Sequence, residues 1–213
     1  MLSKIRPMLK GFNEMVAKPF ALLRIDPNMF SLLGPLFAII SAYFISQQLF
    51  AEALIFAVVA VSIDLFDGAV ARLQNRSSLF GNYFETMIDK LVEIILFIGA
   101  AFLHPLAAIC ALAFSLLNSY AKPRVALVII TDNRDWPAIG EHAERMILFA
   151  VGLALSIFSI EAAGFKAFEI FLWTIALVSF FGTIQRIFYA KKLIEEAEKK
   201  GNILPYLKNG KER

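Results

Sequence analysis

An all-α, polytopic membrane helix bundle is the fold class this sequence predicts, and three observations predict it. Hydrophobic residues make up 59% of the chain and the mean hydropathy is +0.67, the balance of a chain that meets lipid as well as its own core. Apolar stretches of about twenty residues recur between short polar breaks, the length a helix needs to cross about 30 Å of hydrocarbon. Lysine and arginine gather at one set of those breaks. The 213 residues read as one domain, with a juxtamembrane amphipathic helix over 1–28, a six-helix bundle over 29–190 and a charged cytoplasmic tail over 191–213.

Residues 1–28 do not read as a secretory leader, because Lys4, Arg6, Lys10, Glu14, Lys18 and Arg24 leave no uninterrupted apolar run of the length a leader needs. Met8, Leu9, Phe12, Met15, Val16, Phe20 and Leu23 recur at near-helical spacing, which predicts a helix lying on the membrane surface, started or bent at Pro7 and Pro19. Pro27 and Asn28 open the first span, 29–46, with Asn28 as its N-cap. The second span, 51–73, is apolar only as far as Ile63, and the third, 81–103, turns apolar only after Lys90. The loop 74–80 brings their polar ends to one side. His104 and Pro105 turn the chain into a fourth span, 106–130, followed by a fifth over 140–160 and a sixth over 168–189. Asp132, Asn133, Arg134 and Asp135 read as a solvated loop, and the tail from Lys191 as a helix followed by disorder.

Six spans place both termini on one side. Of the 21 lysines and arginines, all but Lys166 fall on that side, which the positive-inside rule makes cytoplasmic. The lone Cys110 cannot form an intrachain disulfide and reads as a small buried thiol. Nothing points to a nucleic-acid partner; the partners this composition implies are membrane lipids.

Function concentrates between Ser62 and Glu93. Asp64 and Asp67 lie roughly 60° apart on a helix, and Glu85 and Asp89 within roughly 40° on the next. Acids in a bilayer cost about 2.5–3.5 kcal/mol each on insertion scales, so these need a bundle interior or an aqueous setting. Four together ask for divalent cations, and an all-oxygen set suits Mg2+, Mn2+ or Ca2+ better than zinc. Gly68, Ala71 and Gly81 leave room beside them, and Arg72 offers a planar cationic fork suited to phosphate. The bland alternative is a pair of packed helices with glycines at the contact.

The run Asp64-x2-Asp67-Gly68-x2-Ala71-Arg72-x8-Gly81-x3-Glu85-x3-Asp89 closely resembles the signature of the CDP-alcohol phosphotransferase family. Every spacing fits; Glu85 stands where the family has aspartate. The resemblance implies an integral membrane enzyme of phospholipid synthesis. An acceptor hydroxyl attacks the phosphorus bearing the alcohol of a CDP-alcohol, such as CDP-diacylglycerol or CDP-archaeol, and CMP leaves. It further implies two divalent ions, Mg2+ or Mn2+, on Asp64, Asp67, Glu85 and Asp89, with Asp89 as general base. The nucleotide site would comprise Asn28, Asp64, Asp67, Gly68, Ala71, Arg72, Gly81 and Glu85. Family members are commonly homodimeric.

Lys122 and Arg124 near the end of the fourth span and Arg145 early in the fifth could converge on a phosphomonoester, or could be interfacial anchors reaching for headgroups. The segments Ser-Tyr-Ala-Lys-Pro-Arg and Glu-His-Ala-Glu-Arg resemble those of family members that use inositol phosphate, with Lys122 and His142 each replacing an arginine. Inositol phosphate is therefore the favoured acceptor, ahead of glycerol phosphate, serine or another alcohol. Glu93 reads as a structural partner to a nearby cation, His142 as interfacial, His104 as a turn residue, Trp136 as interfacial and Trp173 as packing. A divalent-cation transporter using the same carboxylates is the alternative from another class. The acids cluster near one membrane face and no inverted repeat is evident, which count against it. A non-catalytic member weakened at Glu85 is a third reading.

Overall fold

Helices dominate because long apolar segments leave their backbone groups no partner but each other. The computed structural model describes residues 6–131, 136–137, 139–162 and 164–204, without the side chains of 6–10, 12–14, 64 and 65. In chain order the described elements are α1 (Arg6–Leu22), α2 (Pro27–Ser31), α3 (Leu33–Ser46), α4 (Phe50–Leu73), α5 (Leu79–Ala101), α6 (Pro105–Val125), α7 (His142–Ile157), the hairpin β1 (Glu161–Ala162) and β2 (Phe165–Lys166), and α8 (Ala167–Lys200). The loop anticipated over Asp132–Asp135 and the end of the tail, 205–213, lie outside the described residues.

Among the described residues four stretches are long and apolar enough to cross a membrane: Pro27–Ser46, Phe50–Leu73, Pro105–Val125 and Ala167–Lys200. Helix α5 has the length, but Glu85, Asp89, Lys90 and Glu93 interrupt its apolar face, and α7 has 16 residues.

The expected first span is two helices. Pro35, in the first turn of α3, has no N–H to donate and its ring crowds the carbonyl of Ser31, so the chain restarts at Leu33. The cap also differs from expectation. Asp26, not Asn28, is the N-cap, its Oδ1 accepting from the Asn28 amide at 2.9 Å. Pro27 at the first helical position brings no donor, so the first amide needing a partner is that of Asn28.

The fourth span ends at Val125 instead of 130. Pro123 cannot donate to the carbonyl four residues back, and three turn residues then lead to Ile129, which pairs antiparallel with Ile203. The last helix joins the expected sixth span and the helix expected from Lys191 in one run: its 34 residues span about 51 Å at 1.5 Å per residue, more than a bilayer core requires. Its final turns pack beside the end of α6, where Val125, Ile129 and Ala197 form a buried cluster with Leu193, Ile194 and Trp136 against it.

The main core draws Ala38, Ala57, Leu96, Phe97, Phe149, Leu153, Phe168 and Leu172 from α3, α4, α5, α7 and α8. Small residues set the helix spacing. A Cβ on Gly99 would stand 2.6 Å from Ala42 Cα, so α3 and α5 touch backbone to backbone there. Helix α1 is pinned separately, with Ala17 and Phe20 packed against Phe30, Ala69 and Val70. Gln74 Nε2 donates to Ile25 O at 2.8 Å, tying the end of α4 to the segment entering α2.

Gly99→Leu is expected to push α3 off α5 and cost about 2 kcal/mol or more, an overpacking penalty. Thermal unfolding in detergent reads it; an unchanged midpoint would show the contact to be loose.

Candidate active site

The polar end of α4 and the polar start of α5 lie side by side because the loop between them is short and Ser78 fixes how α5 begins. The Ser78 hydroxyl caps that helix, accepting from the Gly81 amide at 2.9 Å. Helix α2 closes the third side. Between them opens a cleft of about 280 Å3. Its walls include Asn28, Asp67, Gly68, Ala71, Arg72, Gly81 and Glu85, every residue anticipated for the nucleotide except Asp64. The Asp64 backbone lies in α4, one turn before Asp67, and its side chain is outside the described set.

Asp67 is almost wholly buried and held from two directions. Ser31 Oγ donates to its Oδ2 at 2.6 Å, and the Gly68 amide to its Oδ1 at 2.6 Å. Gly68 then matters for what it lacks. A Cβ there would lie 3.4 Å from Arg72 Nη1 and 3.8 Å from both Glu85 carboxylate oxygens, so the bare backbone leaves the space between cation and anion open. Asp89, one turn after Glu85, lines a second cavity of about 10 Å3 together with Ser31, Asp67 and His142. Asp67 therefore stands between the two cavities.

Among the described residues no three Asp, Glu, His or Cys side chains close around a common point as a metal cage would. Asp67 and Glu85 face one cleft as an open, all-oxygen set. That is the donor arrangement of Mg2+-type sites, which use one or two carboxylates and take their remaining oxygens from substrate phosphate and water. The residues fit such an ion.

The residues anticipated for the acceptor divide. Lys122 is half-buried and Arg124 exposed in the last turn of α6, and neither lines the two cavities above. Arg145 is fully buried: its Nε donates to Glu93 Oε1 at 2.6 Å and its Nη2 to Glu93 Oε2 at 2.9 Å. Its remaining contacts are with Gly140 O and, at 3.2 Å, Ser119 Oγ. Glu93, equally buried, also meets Lys90 Nζ at 3.0 Å and His142 Nδ1 at 3.1 Å.

Several cleft residues escaped the sequence reading: Asp26, Ser31, Arg76, Ser77, Ser78 and Asn82. Asp26 and Ser78 carried a signal, each being a capping residue directly before a helix start. Ser31 carried none, since its partner Asp67 lies 36 residues away.

Ser31→Ala is expected to cost about 1.5–3 kcal/mol, the range for a hydrogen bond to a charged group, with Ser31→Thr retaining most of it. Equal unfolding midpoints for the wild type and Ser31→Ala would mean that Asp67 is held by other contacts.

A family model described as CDP-alcohol phosphatidyltransferase matches residues 24–187, a stretch that includes both cavities. The archaetidylinositol phosphate synthase of Pyrococcus horikoshii is 32% identical over 201 residues, covering 92% of this chain and 99% of that protein. Two crystal structures of Mycobacterium tuberculosis phosphatidylinositol phosphate synthase share the fold, each with a TM-score of 0.70. The one with CDP-DAG bound is 22% identical and covers 84% of this chain and 92% of its own. The one in complex with manganese and citrate is 19% identical and covers 84% of this chain and 88% of its own.

Proposed function

The chain belongs to the CDP-alcohol phosphatidyltransferase family, and we propose that it transfers the phospholipid moiety of a CDP-linked lipid to inositol phosphate, releasing CMP. The observation that carries this reading is the single cleft in which Asp67, Gly68, Arg72 and Glu85 of the signature face Asn28 and Ser31 of α2. The near full-length similarity to an archaetidylinositol phosphate synthase supports inositol phosphate as acceptor and CDP-archaeol as donor, beside the CDP-diacylglycerol that the family resemblance implies.

In this reading Asp64, Asp67, Glu85 and Asp89 would hold divalent cations, Mg2+ or Mn2+, two of them. When bound, these supply positive charge to the donor diphosphate and to the departing phosphate. Asn28 and Arg72 orient the CDP group, and the gap left by Gly68 admits the diphosphate between Arg72 and Glu85. Asp89 takes the proton of the acceptor hydroxyl as its oxygen bonds to the lipid-bearing phosphorus, and the bond from that phosphorus to the CMP oxygen breaks. Lys122 and Arg124 attract the phosphate of the acceptor.

The six-span bundle belongs to the same proposal, with α5 and α7 crossing beside the four more apolar stretches and α1 on the surface. All 213 residues form the one domain. The lysine and arginine distribution supports a cell-membrane location with the cleft facing the cytoplasm. Homodimer formation is carried over from the family resemblance alone.

The decisive experiment is CMP release from purified protein with a CDP-lipid and Mg2+ or Mn2+, offering inositol phosphate, glycerol phosphate and serine separately. Release with inositol phosphate, stopped by chelator, is expected; release only with another acceptor would overturn that part of the reading. Asp89→Asn is expected to abolish transfer while CMP still binds, and undiminished turnover would remove Asp89 as the base. Arg124→Ala is expected to raise the KM for inositol phosphate about tenfold, the loss of one charge-assisted contact, with the KM for the CDP-lipid little changed.

A further inference from the structure

We infer that Glu93 and Arg145 form a positioning strut for the transfer reaction, and that Arg145 acts through Glu93 instead of binding the acceptor itself. The inference rests on the reaction proposed above.

The hydrogen-bond inventory of the guanidinium is the first ground. An arginine has five N–H donors. Four are engaged here: Nε and one Nη2 donor by the two Glu93 oxygens, the second Nη2 donor by Ser119 Oγ, and one Nη1 donor by Gly140 O. Neither side chain has appreciable exposed surface. Gripping a phosphomonoester through a fork of two parallel bonds would require Arg145 to let go of Glu93, leaving a buried carboxylate short of its main partner.

Position is the second ground. Glu93 stands one helical turn after Asp89 and two after Glu85, close to the same line along α5. Ser119 stands one turn before Lys122 on α6, and Gly140 sits just ahead of α7. One guanidinium therefore touches the helix bearing the acids, the helix bearing the basic end and the loop between α6 and α7. The two-point contact with Glu93 fixes the orientation as well as the distance of the pair. Lys90 and His142 reach the same Glu93 oxygen at 3.0 and 3.1 Å, from α5 and α7. His142 also lines the small cavity that Asp89 and Asp67 share, so the cluster abuts the proposed base without coinciding with it. A pair so placed sets the separation between the proton-accepting acid and the cations that receive the acceptor.

The test compares wild type, Glu93→Gln, Arg145→Lys, the double variant and Glu93→Asp. Measured are kcat, KM for inositol phosphate and for CDP-lipid, the Kd for CMP, and the unfolding midpoint in detergent. Each of the first two variants is expected to lower kcat about tenfold or more while the Kd for CMP moves less than about twofold, with the double variant no worse than the poorer single, the mark of coupled residues. Glu93→Asp is expected to recover part of kcat. Arg145→Lys raising only the KM for inositol phosphate, beside a fully active Glu93→Gln, would overturn the strut and make Arg145 an acceptor ligand. Losses that add in the double variant, or that merely follow the folded fraction, would overturn it too. A wild-type protein that binds CMP yet releases none from CDP-lipid with any acceptor defeats the proposed reaction and the strut with it.

Discussion

Ionised groups in so apolar a chain must find an opposite charge, a donor or water, and that requirement shapes the molecule from end to end. Where water can enter, between α2, α4 and α5, carboxylates line a cleft. Deeper in, each acid is matched: Asp67 by the Ser31 hydroxyl, Glu93 by Arg145, Lys90 and His142. At the opposite end of the bundle His104 meets Glu169 at 3.2 Å, and burial holds its imidazole below the usual value. The same helices then become apolar along their length and build the core, so α4 and α5 each serve packing with one half and line the cavities with the other.

This division is why much of the architecture could be read from the sequence. The second span was expected over 51–73 and the helix runs Phe50–Leu73, because apolar length and the turn at Gln74 both mark it. The spacing of the signature anticipated that Asp67, Gly68, Ala71, Arg72, Gly81 and Glu85 share one cleft, because helix periodicity converts fixed intervals into a shared face, while Asp89 lines the adjoining cavity. Reading failed where a tertiary contact decided the outcome. Nothing local says that Ser31 will reach Asp67, or that the segment after α8 will pair with the segment after α6. It also failed where a local signal was passed over. Pro35 and Pro123 each forecast a break that hydropathy alone smoothed across, and the Asp-Pro pair at 26–27 is a better helix start than the asparagine after it.

Arg145 shows the limit of reading charge as availability. From the sequence it is a cation near the start of a span, suited to an anion. In the fold it is enclosed, and Glu93, expected to partner a nearby cation, is the group that encloses it. A buried guanidinium with most of its donors engaged is a geometric element, whereas the exposed Arg124 keeps the freedom a ligand-binding cation needs.

The pairing of Ile129 with Ile203 gives the chain an order of assembly. Its two residues lie more than seventy positions apart, and the backbone bonds Ile130 N to Asn202 O and Leu204 N to Val128 O flank them. During synthesis the helices up to α8 can enter the membrane as they emerge, but the turn that follows Lys122 and Arg124 stays open until residues 202–204 have emerged as well. A polypeptide cut short after its final membrane helix would hold its acidic cleft complete and lack the clasp on its basic end. The pairing after α8 is in that sense a late step of folding.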